Sequence, residues 1–143
     1  MKIKKTFQIL FVFLLFIVAC QSLLESDTES EDCPDDNCNT SEPFESEITL
    51  NLTLNTENTN IPVIIYRGNI TDNNVSDTVY LKNESSEITL PLNRYYSFKA
   101  KYINNSDTIY VIDGTQFEKQ SYNSCDSVCW RIKGDKVNLR LKI

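Results

Sequence analysis

The sequence predicts an all-β domain, an antiparallel two-sheet sandwich of about seven strands, and three observations carry that prediction. From Ile48 onward, apolar and polar residues alternate with period two, the mark of strands half buried in a sheet. Clusters of Asn, Asp, Ser and Gly interrupt the alternation at intervals of roughly ten residues, the spacing of short strands in a sandwich. No stretch beyond residue 20 carries a helical period.

Each element follows from its own pattern. Ile48, Leu50, Leu52 and Leu54 fall on one face of a first strand, with Thr49, Asn51 and Thr53 on the other. The polar run 55–60 reads as a turn. Residues 61–66 form a second strand whose unbroken apolar run predicts burial on both faces, ended by Arg67, Gly68 and Asn69. A short strand at 78–81 and a turn at 82–86 lead to a strand at 87–92, with Ile88, Leu90 and Leu92 inward. Pro91 lacks a backbone donor, which puts that strand at a sheet edge or ends it there. The longest strand is 94–103, where Tyr96, Phe98, Ala100 and Tyr102 alternate with Ser97, Lys99 and Lys101. After a turn at Asn104, Asn105 and Ser106, a strand at 108–112 is closed by Asp113 and Gly114. A final strand at 136–143 turns Val137, Leu139, Leu141 and Ile143 inward.

Upstream of this domain the chain changes character twice. Lys2, Lys4 and Lys5 precede an apolar stretch, 9–19, that is shorter than the ~20 residues a spanning helix needs. The four residues Ile17, Val18, Ala19 and Cys20 resemble the lipobox of bacterial lipoproteins. The resemblance implies that 1–19 is a signal peptide, removed on export, and that Cys20 carries the lipid. With two or three acyl chains at ~0.8 kcal/mol per buried methylene, such a chain stays anchored to the membrane. Gln21, where lipoproteins held in the inner membrane of many Gram-negative bacteria have Asp, favours the outer membrane in this resemblance.

Residues 20–47 hold ten acidic side chains and no Lys or Arg, whereas 48–143 holds ten acidic against eleven basic ones. The acidity therefore belongs to a tether, expected to be disordered and extended by self-repulsion, with a nearly neutral domain behind it. Asp32, Asp35, Asp36 and Asn37 offer oxygen ligands but lack the Gly and the carboxylate spacing of a calcium loop. Acidic residues soon after a lipidated cysteine also resemble, in part, a signal that sends lipoproteins to the cell surface in some Gram-negative bacteria. Nucleic-acid binding is not expected, because no basic stripe with interleaved aromatics is present.

The run from Thr89 to Tyr102, TLPLNRYYSFKAKY, resembles the strand pair of transthyretin-like and carboxypeptidase-regulatory-like domains. There a Leu-Pro turn leads into an alternating Tyr-x-Phe-x-Ala strand. The resemblance extends over about thirty residues and implies an immunoglobulin-like sandwich that serves as an accessory or binding module, with no catalytic residues to carry over. Asn93 stands where such domains commonly have Gly.

Chemistry is narrowed by what the chain lacks. It has no histidine, which removes Ser-His and Cys-His nucleophiles and histidine metal sites together. Carboxylate pairs alone support glycoside hydrolysis, but normally in a cleft that a domain of under about a hundred residues rarely encloses. Neither an enzyme nor a cofactor is expected. Apart from Cys20, four cysteines remain, Cys33, Cys38, Cys125 and Cys129, and in an oxidising envelope they read as disulfides. Proximity favours Cys33 with Cys38 and Cys125 with Cys129. Cross-pairing, which would pin the tether to the carboxy-terminal hairpin, stays open beside it. A four-thiolate zinc site and a redox dithiol are the weaker alternatives.

Trp130, beside Cys129, is expected to pack as core against the disulfide, with a ligand-facing role as the alternative. Seven tyrosines are many for this size, so some face solvent; Tyr95, Tyr110 and Trp130 are the candidate ligand-facing aromatics. Thr78, Thr108 and Ser127 each follow Asp and precede an apolar residue, which resembles the acceptor for periplasmic O-glycosylation in some Gram-negative bacteria. The same tripeptide also starts a strand after a turn. The expected function is that of an envelope lipoprotein acting as a non-catalytic binding or structural module for a protein or glycan of the envelope. A carbohydrate-binding accessory of a polysaccharide uptake system is the alternative, and a cysteine-based metal or redox protein the weaker one.

Overall fold

Eight strands build two sheets around one core in the computed structural model, which describes residues 38–124 and 126–142. The smaller sheet has the order β4-β1-β8 and the larger β3-β2-β5-β6-β7. The strands are β1 (Glu45–Asn51), β2 (Ile61–Arg67), β3 (Val75–Leu81), β4 (Ser85–Pro91), β5 (Arg94–Asn104), β6 (Asp107–Ser124), β7 (Ser127–Lys133) and β8 (Lys136–Asn138). A single 3-10 turn, Ile70–Asp72, sits between β2 and β3. The expected signal peptide, Cys20, the expected tether as far as residue 37, Cys33, Cys125 and Ile143 lie outside the described residues.

The period-two faces meet as the sequence requires. Ile48, Leu50 and Val137 from the small sheet close on Val63, Ile65, Tyr96, Phe98, Ala100, Tyr102 and Phe117 from the large one. β2 is buried on its inner face while Pro62 and Ile64 on its outer face are half buried. β4 is an edge strand and ends at Pro91, where no donor is missed. Asn93 takes the left-handed region at φ 60°, a conformation Asn tolerates. Asn105 and Ser106 both have positive φ and close the β5–β6 hairpin in two residues, as in a type I′ turn.

Buried polar groups are paired. The Asn58 side chain behaves as a strand partner: its Nδ2 donates to the Ile103 carbonyl at 2.8 Å and its Oδ1 accepts from the Ile103 N–H at 2.8 Å. The Tyr102 hydroxyl donates to the Leu139 carbonyl at 2.7 Å and accepts from the Thr53 N–H at 3.3 Å. The Tyr96 hydroxyl donates to the Pro91 carbonyl at 2.9 Å. Burial pushes both phenols above their ordinary pKa.

The structure corrects several expectations. The domain does not begin at residue 48, because β1 starts at Glu45 and residues from Cys38 onward are already docked. Asp113 and Gly114 do not close a strand: β6 runs straight through them for eighteen residues, its first part pairing with β5 and its last with β7. The Gly is there for close approach, since a Cβ on Gly114 would meet the Tyr95 hydroxyl and ring. β7 is an addition to the expected strands, because Cys129 interrupts the alternation of Val128, Trp130 and Ile132. The last strand pairs only over Lys136–Asn138, and in parallel with β1, so the sheets are not wholly antiparallel. Beyond it the chain stays extended, with the Leu139 N–H donating to the Asn51 carbonyl at 2.8 Å and the Leu141 N–H donating to Thr53 Oγ1 at 3.1 Å.

Candidate binding face

Because neighbouring strand residues point to opposite faces, burial of Tyr96, Phe98, Ala100 and Tyr102 sends Tyr95, Ser97, Lys99 and Lys101 outward. The same rule turns Tyr110 and Ile112 of β6 and Tyr80 of β3 to that face. Tyr80 is 65% exposed, Ile112 52%, Tyr110 49% and Tyr95 39%. The register sets Lys101 opposite Tyr110 and Lys99 opposite Ile112. Lys99 Nζ lies 4.1 Å from the centre of the Tyr110 ring, a cation–π contact that leaves the ring beside a positive charge. At the other end Tyr95 lies across Gly114, in an open groove of about 400 Å³ walled by Asn69, Ile70, Thr71 and Ile112. Tyr95 and Tyr110 thus share one face.

Trp130 does not join them. It shares a face with Ile132, which packs on the core, whereas Cys129 points to the opposite side of β7. Nor does it pack as core beside the disulfide: it is half buried outside the core cluster, and Lys119 Nζ lies 5.5 Å from its ring centre. The same ammonium pairs with Glu42 at 2.6 Å, donates to the Pro43 carbonyl at 3.1 Å and faces the Phe44 ring. Trp130 therefore helps dock the incoming chain.

The cysteines complete that dock. Cys38 is joined to Cys129 across 91 residues, with Cα atoms 5.1 Å apart, so the pairing of near neighbours is overturned in favour of the cross-pairing. The Trp130 N–H donates to the Asn39 carbonyl at 2.9 Å, adding a bridge on the outer edge of β7 that brings the two sulfurs together. With Cys38 and Cys129 spent on each other, a four-thiolate zinc site has lost two of its ligands. Among the described residues no group of three Cys, Asp or Glu side chains is placed to hold a metal ion.

Thr78, Thr108 and Ser127 are all exposed, on β3, at the start of β6 and at the start of β7. Asp77 Oδ1 accepts from the Thr78 N–H at 2.7 Å, which gives the Asp of that tripeptide a structural task as well. Comparison with protein-family models, curated proteins and solved structures finds no match to this chain.

Proposed function

We propose that this chain is a lipid-anchored lipoprotein of the bacterial envelope, held in the outer membrane through acylated Cys20, whose β-sandwich is a non-catalytic binding or structural module. Its working surface is the outward face of the five-stranded sheet. The observation that carries the reading is that Tyr80, Tyr95, Tyr110 and Ile112 are all exposed on that one face, spread over β3, β5 and β6, with Lys99 against the Tyr110 ring. Folding alone asks for polar residues there, and exposed aromatic and apolar side chains repeated over a sheet face point to a contact surface. The lipobox supports the anchor, and the absence of histidine supports a module without nucleophilic chemistry.

The test has two parts. Intact mass of the protein from membranes is expected to give acyl chains on Cys20, and Cys20→Ser to release the protein to the soluble fraction. Binding to envelope extracts is expected to fall when Tyr80 and Tyr110 are both changed to Ala. A substrate turned over at a rate abolished by one point mutation refutes the reading.

The carbohydrate-binding alternative is favoured by one observation: Tyr95, its hydroxyl end seated against Gly114 and its side chain exposed in an open groove, is placed where a sugar ring could stack. Gly114→Ala, which lifts the Tyr95 ring, is expected to weaken retardation in polysaccharide gels. The exposed hydroxyls of Thr78, Thr108 and Ser127 are proposed as O-glycosylation acceptors, a modification that intact mass from the native host detects as hexose-sized increments.

A further inference from the structure

We infer that the open edge of β6, from Thr108 to Ile112, is a strand-addition site for an extended acidic segment of a partner polypeptide. This rests on the reading of the sandwich as a binding module and names the chemistry of what it binds.

β5 covers one edge of β6 over Asp107 to Phe117, and β7 takes up pairing only from Glu118. The two-residue hairpin makes Asn104 and Asp107 a hydrogen-bonded pair, and such pairs alternate along an antiparallel ladder. Ile109, Val111 and Asp113 therefore bond to β5, while the N–H and C=O groups of Thr108, Tyr110 and Ile112 point to the opposite edge. Gly114, next in that series, agrees: its N–H donates to Asp113 Oδ1 at 2.8 Å rather than to a strand. Among the described residues no strand pairs with that edge over 108–112.

A groove of about 480 Å³ runs along it, between Ile109 to Asp113 on one side and Asn138 to Lys142 on the other. Arg140 and Lys142 stand on the far wall and Lys99 lies beside Tyr110. Asp113, the one carboxylate among the lining residues, is already spent, its Oδ1 on Gly114 and its Oδ2 accepting from the Asn138 N–H at 2.8 Å. The groove thus pairs unsatisfied main-chain groups with positive charge. An extended peptide satisfies the first through its own amides and the second through Glu or Asp side chains. A glycan has no amide repeat to match donor and acceptor sets two residues apart, so the edge favours a polypeptide.

The experiment is a titration of the ¹⁵N-labelled domain with a decapeptide of alternating Glu and Thr, followed by amide shifts and hydrogen exchange. Shifts are expected to centre on Thr108, Tyr110 and Ile112, with exchange slowed at Tyr110 and Ile112. Ile112→Pro removes a donor from the open edge and none from the β5 ladder, so it is expected to keep the thermal midpoint and lower affinity about tenfold or more. Should that variant fail to fold, Arg140→Glu with Lys142→Glu is expected to abolish binding by itself, and a Lys-Thr decapeptide is expected not to bind. Absence of binding, shifts centred elsewhere, or full affinity in Ile112→Pro overturns the inference. Polygalacturonate occupying the groove regardless of Ile112→Pro makes the occupant an anionic glycan, which overturns the peptide and leaves the binding-module reading standing. Dimerisation through β6 makes the occupant a second copy of this chain, which overturns the acidic peptide in the same way.

Discussion

Asn58 is 5% exposed and bonds both the N–H and the C=O of Ile103, so its amide stands in for a strand that is not there. Changing it to Ala leaves two main-chain groups without partners at a buried site, and each such loss costs ~1–3 kcal/mol. Asn58→Ala is therefore expected to lower stability by about 2–4 kcal/mol in urea denaturation, with the slope against denaturant unchanged. The two buried tyrosines make a pH prediction with a definite sign. Burial raises the pKa of Tyr96 and Tyr102 in the folded state above that of the unfolded chain, about 10. Below that pH both states are neutral and the full stability is present. Above it the unfolded chain ionises first, so stability falls as pH rises. Alkaline unfolding is expected to track the appearance of phenolate absorbance, and Tyr96→Phe with Tyr102→Phe to flatten the dependence at the cost of three hydrogen bonds.

At the scale of elements, what is legible in the sequence is what period two controls. β4 and β5 fall within a few residues of their expected places because one face of each is buried and the residues alternate, and β2 because its apolar run is bounded by polar turn residues. β6 reads in the sequence only as its first piece, 108–112, because Asp113 and Gly114 are turn formers, and only the hydroxyl end of Tyr95 against Gly114 reveals why a Gly suits mid-strand. β7 escapes the pattern because burial of Cys129 comes from its disulfide rather than from a core face. Of the candidate site, the outward tyrosines of β5 and β6 are legible from alternation. Tyr80 and the open β6 edge are not, since they depend on strand order. Gly134, between β7 and β8, is the second place where a glycine is required: φ is 71° and a Cβ would run into the Gln116 carbonyl. Because that obstacle is backbone, Gly134→Ala is expected to cost ~2 kcal/mol or more and to lower the thermal midpoint by roughly ten degrees, which calorimetry measures.

For the whole molecule, the consequence of the Cys38–Cys129 bond is set by the length of chain it closes. The near-neighbour pairing would have closed loops of a few residues and constrained the unfolded state little. A 91-residue loop takes in almost the entire domain, and in the chain-entropy picture it contributes about 4–5 kcal/mol. That bond and the Glu42–Lys119 pair fix the segment from Cys38 to Glu42 along β6 and β7. The docked segment and the open β6 edge at 108–112 thus lie towards different ends of β6. The mass of a tryptic digest taken without reduction is expected to contain one species joining the Cys38 and Cys129 peptides, and the near-neighbour pairing is excluded by its presence. Cys38→Ala with Cys129→Ala is expected to lower the denaturation midpoint by the equivalent of roughly 3–5 kcal/mol. Glu42→Gln, which weakens only the partly exposed ion pair, is expected to change it by less than about 1 kcal/mol. If the double cysteine variant instead matches the parent, the dock is held by Lys119, Phe44 and Trp130, and Trp130→Ala becomes the costly change.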